Sequence, residues 1–205
     1  MYKVLCFGDS NVYGFNPING QRYDENIRWS GLLQRYLSKT GLVIEAGCNN
    51  RTAFSDNNAG IEYTGYKILP NYLSEDLTNI ILAIGINDTQ KTYKITKQAI
   101  QDGLLRMLQC CLDVSTNANI ILVAPNVITN NVLNSYFSVM FDESSIEKST
   151  WFASIYKEIA YKYNCNFIDL NRYVSTSKID GLHYEPKEHK VIAELLYNSI
   201  VGIES

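Results

Sequence analysis

The sequence is poor in the residues that several common functions require. It has only two histidines, no Cys-x-x-Cys pair and no cluster of histidine with cysteine, so a structural zinc site is not expected. Its five cysteines are an odd number and most fall in apolar segments, which argues against a disulfide framework. Cys6, Cys48, Cys110, Cys111 and Cys165 read instead as small core residues in a reducing compartment. Lys and Arg are scattered and the net charge is −3, so nothing favours nucleic acid or an anionic membrane surface. No apolar run is long enough to cross a bilayer, and a strand beginning at Lys3 leaves no room for a signal peptide. The cytoplasm is therefore the expected location. The Gly-rich spacing and lysine of a P-loop are also missing.

What is present is the raw material of a globular α/β protein. A chain of 205 residues with 46% hydrophobic and 19% charged residues can bury a sizeable core, and it is read as one domain spanning residues 1–205. Five apolar runs have strand length: Lys3–Phe7, Leu42–Ala46, Asn79–Ile84, Asn119–Ala124 and Asn166–Leu170. Stretches with helical spacing lie between or after them, at Ile27–Leu37, Lys94–Leu112, Ile146–Tyr161 and Lys187–Ile200. Strands alternating with helices predict a flavodoxin-like, three-layer α/β/α sandwich around a five-stranded parallel sheet.

Open sheets of this kind bind ligands at the carboxyl ends of their strands. The residues found there are Gly8-Asp9-Ser10, then Gly47-Cys48-Asn49-Asn50-Arg51-Thr52, then Gly85-Ile86-Asn87-Asp88, then Pro125-Asn126, and finally Asp180-Gly181-Leu182-His183. A serine hydroxyl becomes a useful nucleophile only beside a base that a carboxylate orients. Asp180 precedes His183 by three residues with Gly181 between them, a spacing that lets the carboxylate reach Nδ1 and leaves Nε2 for Ser10. Donors for an oxyanion could come from the Ser10 N–H, a backbone N–H near Asn50 and the Asn87 side chain. Each residue also has a plainer role open to it. Ser10 could cap the first helix or hold a phosphate, Asn87 and Asp88 could form a turn, and His183 could be incidental. His189, at the start of the last helix, reads as structural.

The ordered blocks GDSN, Asn-Arg-Thr, GIND and DGLH resemble the SGNH hydrolases, or GDSL-type esterases and lipases, from residue 8 to about residue 190. Gly14 and Pro17, Arg28-Trp29-Ser30-Gly31-Leu32-Leu33, and Val43-Ile44-Glu45 leading into Gly47 and Arg51-Thr52 are similar to the arylesterase and acyltransferase branch. The resemblance implies the SGNH hydrolase fold, with Ser10 as nucleophile, His183 as general base and acid, and Asp180 as its partner. It also implies an oxyanion hole built from the Ser10 N–H, a second-block N–H and Asn87. Where the family usually carries Gly or Ala before Arg-Thr, this chain has Asn50. Asn50 is taken as the donor, with Gly47 the alternative if the loop register is shifted. Asn50 must then tolerate unusual backbone angles and turn its side chain away from the acyl group.

The apolar loop Val127–Glu143, with Tyr136, Phe137, Val139, Met140 and Phe141, is a lid, an acyl-pocket wall, a subunit contact or a core-packing excursion. Members of this branch often oligomerise through such insertions, which leaves a homo-oligomer open. The expected activity is hydrolysis of short acyl esters, acetyl-type included, with transfer to an alcohol as a variant. The partner is a small-molecule ester, without metal or organic cofactor, nucleic acid or membrane. The rivals are a carbohydrate O-acetyl esterase of the same fold, a flavodoxin-like phosphate-binding module and a non-catalytic relative.

Overall fold

Alternation within the apolar runs decides the architecture. In β1 (Tyr2–Gly8), Leu5 and Phe7 enter one core while Val4 and Cys6 enter another. The same division recurs in β3 (Asn79–Ala83), where Ile80 and Leu82 oppose Ile81, and in β4 (Asn119–Ala124), where Ile120 and Leu122 oppose Ile121 and Val123. Strands buried on both faces need covering layers on both, which is why their runs are almost continuously apolar. The structure, a computed structural model, describes residues 1–202. With β2 (Gly41–Gly47) and β5 (Asn166–Asp169) at the two edges, the sheet runs β2-β1-β3-β4-β5, all parallel.

Among the described residues seven α-helices accompany it: α1 (Ser10–Tyr13), α2 (Trp29–Leu37), α3 (Gly65–Ile68), α4 (Lys97–Val114), α5 (Glu143–Ser149), α6 (Phe152–Lys162) and α7 (Pro186–Val201). One core is closed by α4 through Ile100, Leu104 and Leu108 and by α6 through Phe152, Tyr156 and Ile159. The other is closed by α2 through Trp29, Leu33 and Leu37 and by α7 through Ile192, Leu196 and Ile200. Each such side chain contributes about 1.5–3 kcal/mol of burial. The direction in which successive strands are added reverses between β1 and β3, since β2 lies to one side of β1 and the later strands to the other. The crevice at that switch point is where the sheet leaves room for a ligand.

Strand positions agree with the sequence to within about a residue, and three helices differ only at their ends. The expected helix Ile146–Tyr161 is two helices, with the break at Thr150 and Trp151. Ser149 Oγ donates to Ile146 O at 2.6 Å and Thr150 Oγ1 to Glu147 O at 2.6 Å, so consecutive hydroxyls take carbonyls that a continuing helix would use. Ser149 Oγ also accepts from Ile128 N, tying the break to the loop after β4. That loop, Val127–Glu143, folds into two 3-10 turns, and Val132 and Phe141 pack with Ile86, Ile128 and Leu182 in a satellite core. Among the described residues the five cysteines are free thiols, and no helix is long and apolar enough to cross a membrane.

Candidate active site

Ser10 follows directly on β1, and the carboxylate before it takes the capping role. Asp9 is the N-cap of α1 and accepts from Asn11 N at 3.0 Å. Ser10 Oγ is thereby left to lie 2.8 Å from His183 Nε2. As the first residue of a one-turn helix, Ser10 also has an N–H with no partner inside the helix.

The far side of the imidazole is set by one local turn. Gly181 sits at φ +69°, a backbone angle that L side chains rarely adopt, and lets the chain fold back on Asp180. Asp180 Oδ1 accepts from Leu182 N at 2.9 Å and His183 N at 3.0 Å, while Oδ2 lies 2.6 Å from His183 Nδ1. Burial pushes this carboxyl up, but the His183 ring and the two backbone N–H groups outweigh it and hold it below the usual carboxylate range. A charged Asp180 selects the tautomer protonated at Nδ1, so Nε2 presents its lone pair to the Ser10 hydroxyl. Asp180 and His183 are 2% and 1% exposed and Ser10 is 6%, so bulk water scarcely competes for these bonds. Phe15 and Phe137 flank the imidazole at 4.3 and 5.1 Å between ring centres.

Asn50 and Asn87 arrive from the loops after β2 and β3 and face the same pocket as Ser10 and His183. Asn50 sits at φ +60°, in the left-handed region that Asn visits more readily than most residues. Its side chain is held by Gln90, whose Nε2 donates to Asn50 Oδ1 at 2.8 Å. Asn87 Nδ2 donates to Arg51 O at 3.1 Å and has a second hydrogen to spare. Gly47 ends β2 opposite Gly8 and does not line the pocket. A Cβ there would lie 2.2 Å from Tyr13 N, so this glycine serves the close approach of α1.

Two charged residues hold these loops from beneath. Asp88 accepts from the N–H groups of Ala53, Phe54 and Ser55 at 2.6, 2.9 and 2.7 Å, binding the loop after β2 to the turn after β3. Burial pushes its carboxyl up to about 6 against those bonds. Arg51 Nη1 donates to Ala46 O at 2.6 Å and Gly8 O at 3.1 Å, and its guanidinium lies over the Phe7 ring. The Arg-Thr pair is thus structural here. So is His189, fully buried with Nδ1 accepting from Trp29 N at 3.3 Å. Burial lowers its imidazole to about 4.

The pocket, part of it open to solvent, has a volume of about 350 Å³. Ser10, Asn49, Asn50, Asn87 and His183 form its polar side, and Phe15, Phe137, Met140, Phe141 and Leu182 its apolar side. The loop after β4 is therefore both a pocket wall and a small core. A cavity behind Asp9 and Asn11, walled by Trp29 and Tyr184, has room for about one water and holds neither Ser10 nor His183. All five residues expected from the sequence converge on the first pocket or on the histidine that lines it. Gln90, Phe15 and the clamp role of Asp88 carried no recognisable signal in their spacing.

The fold has counterparts among solved structures. An aryl esterase from M. smegmatis superposes with a TM-score of 0.90 at 26% identity, covering 100% of both chains. A carbohydrate acetylesterase from Sinorhizobium meliloti does so with the same TM-score, identity and coverage. A lipase/acylhydrolase from Enterococcus faecalis, at 18% identity and a TM-score of 0.70 over 98% of this chain and 96% of its own, shares the fold. No curated protein matches by sequence. The model of the GDSL-like lipase/acylhydrolase family, the SGNH hydrolases, matches residues 6–191, and the chain belongs to that family.

Proposed function

We propose that this protein is a serine esterase that hydrolyses short-chain carboxylic esters through an acyl-enzyme on Ser10. The observation that carries the proposal is the buried relay in which Ser10 Oγ lies 2.8 Å from His183 Nε2 and His183 Nδ1 lies 2.6 Å from Asp180 Oδ2. In the first half-reaction Ser10 Oγ attacks the ester carbonyl and its proton passes to His183 Nε2. Asp180 stabilises the imidazolium. The carbonyl oxygen, now an oxyanion, is met by the N–H groups of Ser10 and Asn50 and the Asn87 amide. Collapse breaks the ester C–O bond, and His183 returns the proton to the departing alcohol. Water then attacks the acyl-enzyme by the same path in reverse, giving the carboxylic acid and free Ser10.

The size and apolar side of the pocket support a short acyl group or a small aryl alcohol. The S. meliloti neighbour, named for acetyl esters of carbohydrates, supports acetylated sugars as a second substrate class. An alcohol in place of water would give acyl transfer from the same intermediate. The phosphate-binding reading is disfavoured, because Asp9 already occupies the Asn11 N–H that an anion would use.

The test is p-nitrophenyl acetate turnover by wild type and Ser10→Ala, with intact-mass measurement after a fluorophosphonate probe. Wild type should turn over and gain one adduct, and Ser10→Ala should do neither. A folded wild type that is neither labelled nor active overturns the proposal. Release of acetate from an acetylated sugar then ranks the two substrate classes.

A further inference from the structure

Gln90 closes the 3-10 turn Ile86–Thr89, which carries Asn87, and is buried against the loop after β2. Its Nε2 donates to Asn50 Oδ1 at 2.8 Å and to Asn87 Oδ1 at 3.0 Å. Three carboxamides thus stand in series, and each could in principle be turned end for end. A backbone carbonyl removes that freedom. Arg51 O can only accept, so Asn87 must present Nδ2 to it. Asn87 Oδ1 then faces Gln90, which must answer with its NH2 group. That group has two hydrogens, and the second can be satisfied only if Asn50 offers Oδ1. The polarity of the whole series follows from one peptide carbonyl.

The pocket depends on that polarity in two ways. Asn87 spends one Nδ2 hydrogen on Arg51 O, and its other hydrogen has no acceptor among the described residues. With the amide reversed, Oδ1 would stand in its place and repel an oxyanion. Asn50 lines the pocket at φ +60°, and the bond to Gln90 keeps its side chain from folding over the acyl group.

We propose that Gln90 is a positioning residue of the oxyanion hole, holding the Asn87 amide with N–H toward the developing charge and tethering the Asn50 side chain. This rests on the ester-hydrolase reading of the pocket. Gln90 touches no reacting atom and acts only through its two neighbours.

The experiment compares steady-state p-nitrophenyl acetate hydrolysis by wild type, Gln90→Met and Gln90→Glu, with thermal melts of each. Methionine keeps the length and loses the donors. An ionised glutamate keeps the shape but accepts where Gln90 donates, so both asparagine amides must turn round. The expected loss in kcat is about tenfold for Gln90→Met and about a hundredfold for Gln90→Glu, with KM changed by less than about twofold. A space-filling role predicts the reverse order, since glutamate is the closer isostere. The inference is overturned if kcat of Gln90→Met stays within about twofold of wild type, or if the loss falls on KM. Should Gln90→Glu fail to melt cooperatively, Gln90→Leu joins Gln90→Met under the same kcat criterion. Activity that Ser10→Ala abolishes but Gln90→Met leaves intact overturns this inference alone. A wild type without turnover overturns it together with the proposed function.

Discussion

Asp9 and Asp180 are equally hidden from solvent, at 2% exposure each, and both act on Ser10, one as its neighbour and one through His183. Their carboxyls nevertheless move in opposite directions. Burial raises Asp9 to about 7, against the pull of the Asn11 N–H and of Arg51. At Asp180 burial also pushes upward, but the imidazole and two backbone N–H groups prevail and the carboxyl ends below its ordinary range. Burial alone therefore does not decide whether a carboxylate keeps its charge; the donors that the local turn aims at it do. The same contrast divides the pocket. In the proposed mechanism its acid–base half is a single turn, Asp180–His183, whereas its oxyanion half is assembled from the ends of β1, β2 and β3.

The largest expected effect comes from cutting the local half. His183→Ala removes the proposed base for the Ser10 proton, and kcat/KM for p-nitrophenyl acetate should fall by about ten-thousandfold or more, with fluorophosphonate labelling lost. On the assembled half, Asn87→Ala deletes one of the three proposed donors, and kcat should fall by about a hundredfold to a thousandfold. Labelling of Ser10 should persist at a reduced rate, because Ser10 and His183 still face each other. The two rates, measured side by side, test the division. Equal losses in both variants would mean that Asn87 also holds Ser10 and His183 in place, and the two halves would not be separable.

How much of this could be read before the fold was known follows the same division. The Asp180–His183 turn depends on residues within three positions of one another, so the carboxylate-to-imidazole contact could be read from Asp-Gly-Leu-His, while a plain turn with an incidental histidine stayed open until the other strand ends were considered. The strands were visible because Val4, Leu5, Cys6 and Phe7, and their counterparts in β3 and β4, are apolar on both faces and leave no other packing open. Asn50 and Asn87 were candidate donors by their places at the strand ends, and resemblance to a family then implied their roles, since nothing local says that two loops 36 residues apart share a carbonyl. Gln90 stayed hidden for that reason: its bond to Asn50 spans 40 residues. The break between α5 and α6 was missed because the apolar period of Ile146–Tyr161 continues through it, while the cause lies in the hydroxyls of Ser149 and Thr150.

The smallest effect concerns Asp9, and it tests whether the opening contrast is real. A carboxyl whose folded value, about 7, exceeds its ordinary 3.8 binds its proton more tightly in the folded chain. Its contribution to stability is full below about 3.8 and is lost as pH rises through about 7. Asp180, shifted the other way, contributes above the ordinary carboxylate value, and that contribution is lost as pH falls through its lowered folded value. Asp9→Asn keeps an oxygen to accept the Asn11 N–H and cannot ionise. Its melting temperature should therefore gain on wild type between pH 5 and pH 8, by a few degrees for a chain of this size. The gain should vanish near pH 4, where Asp9 is protonated and the two chains present the same neutral cap. A constant difference across that range would mean that Asp9 is ionised throughout, with Arg51 rather than burial ruling its environment. The contrast with Asp180 would then be one of degree only.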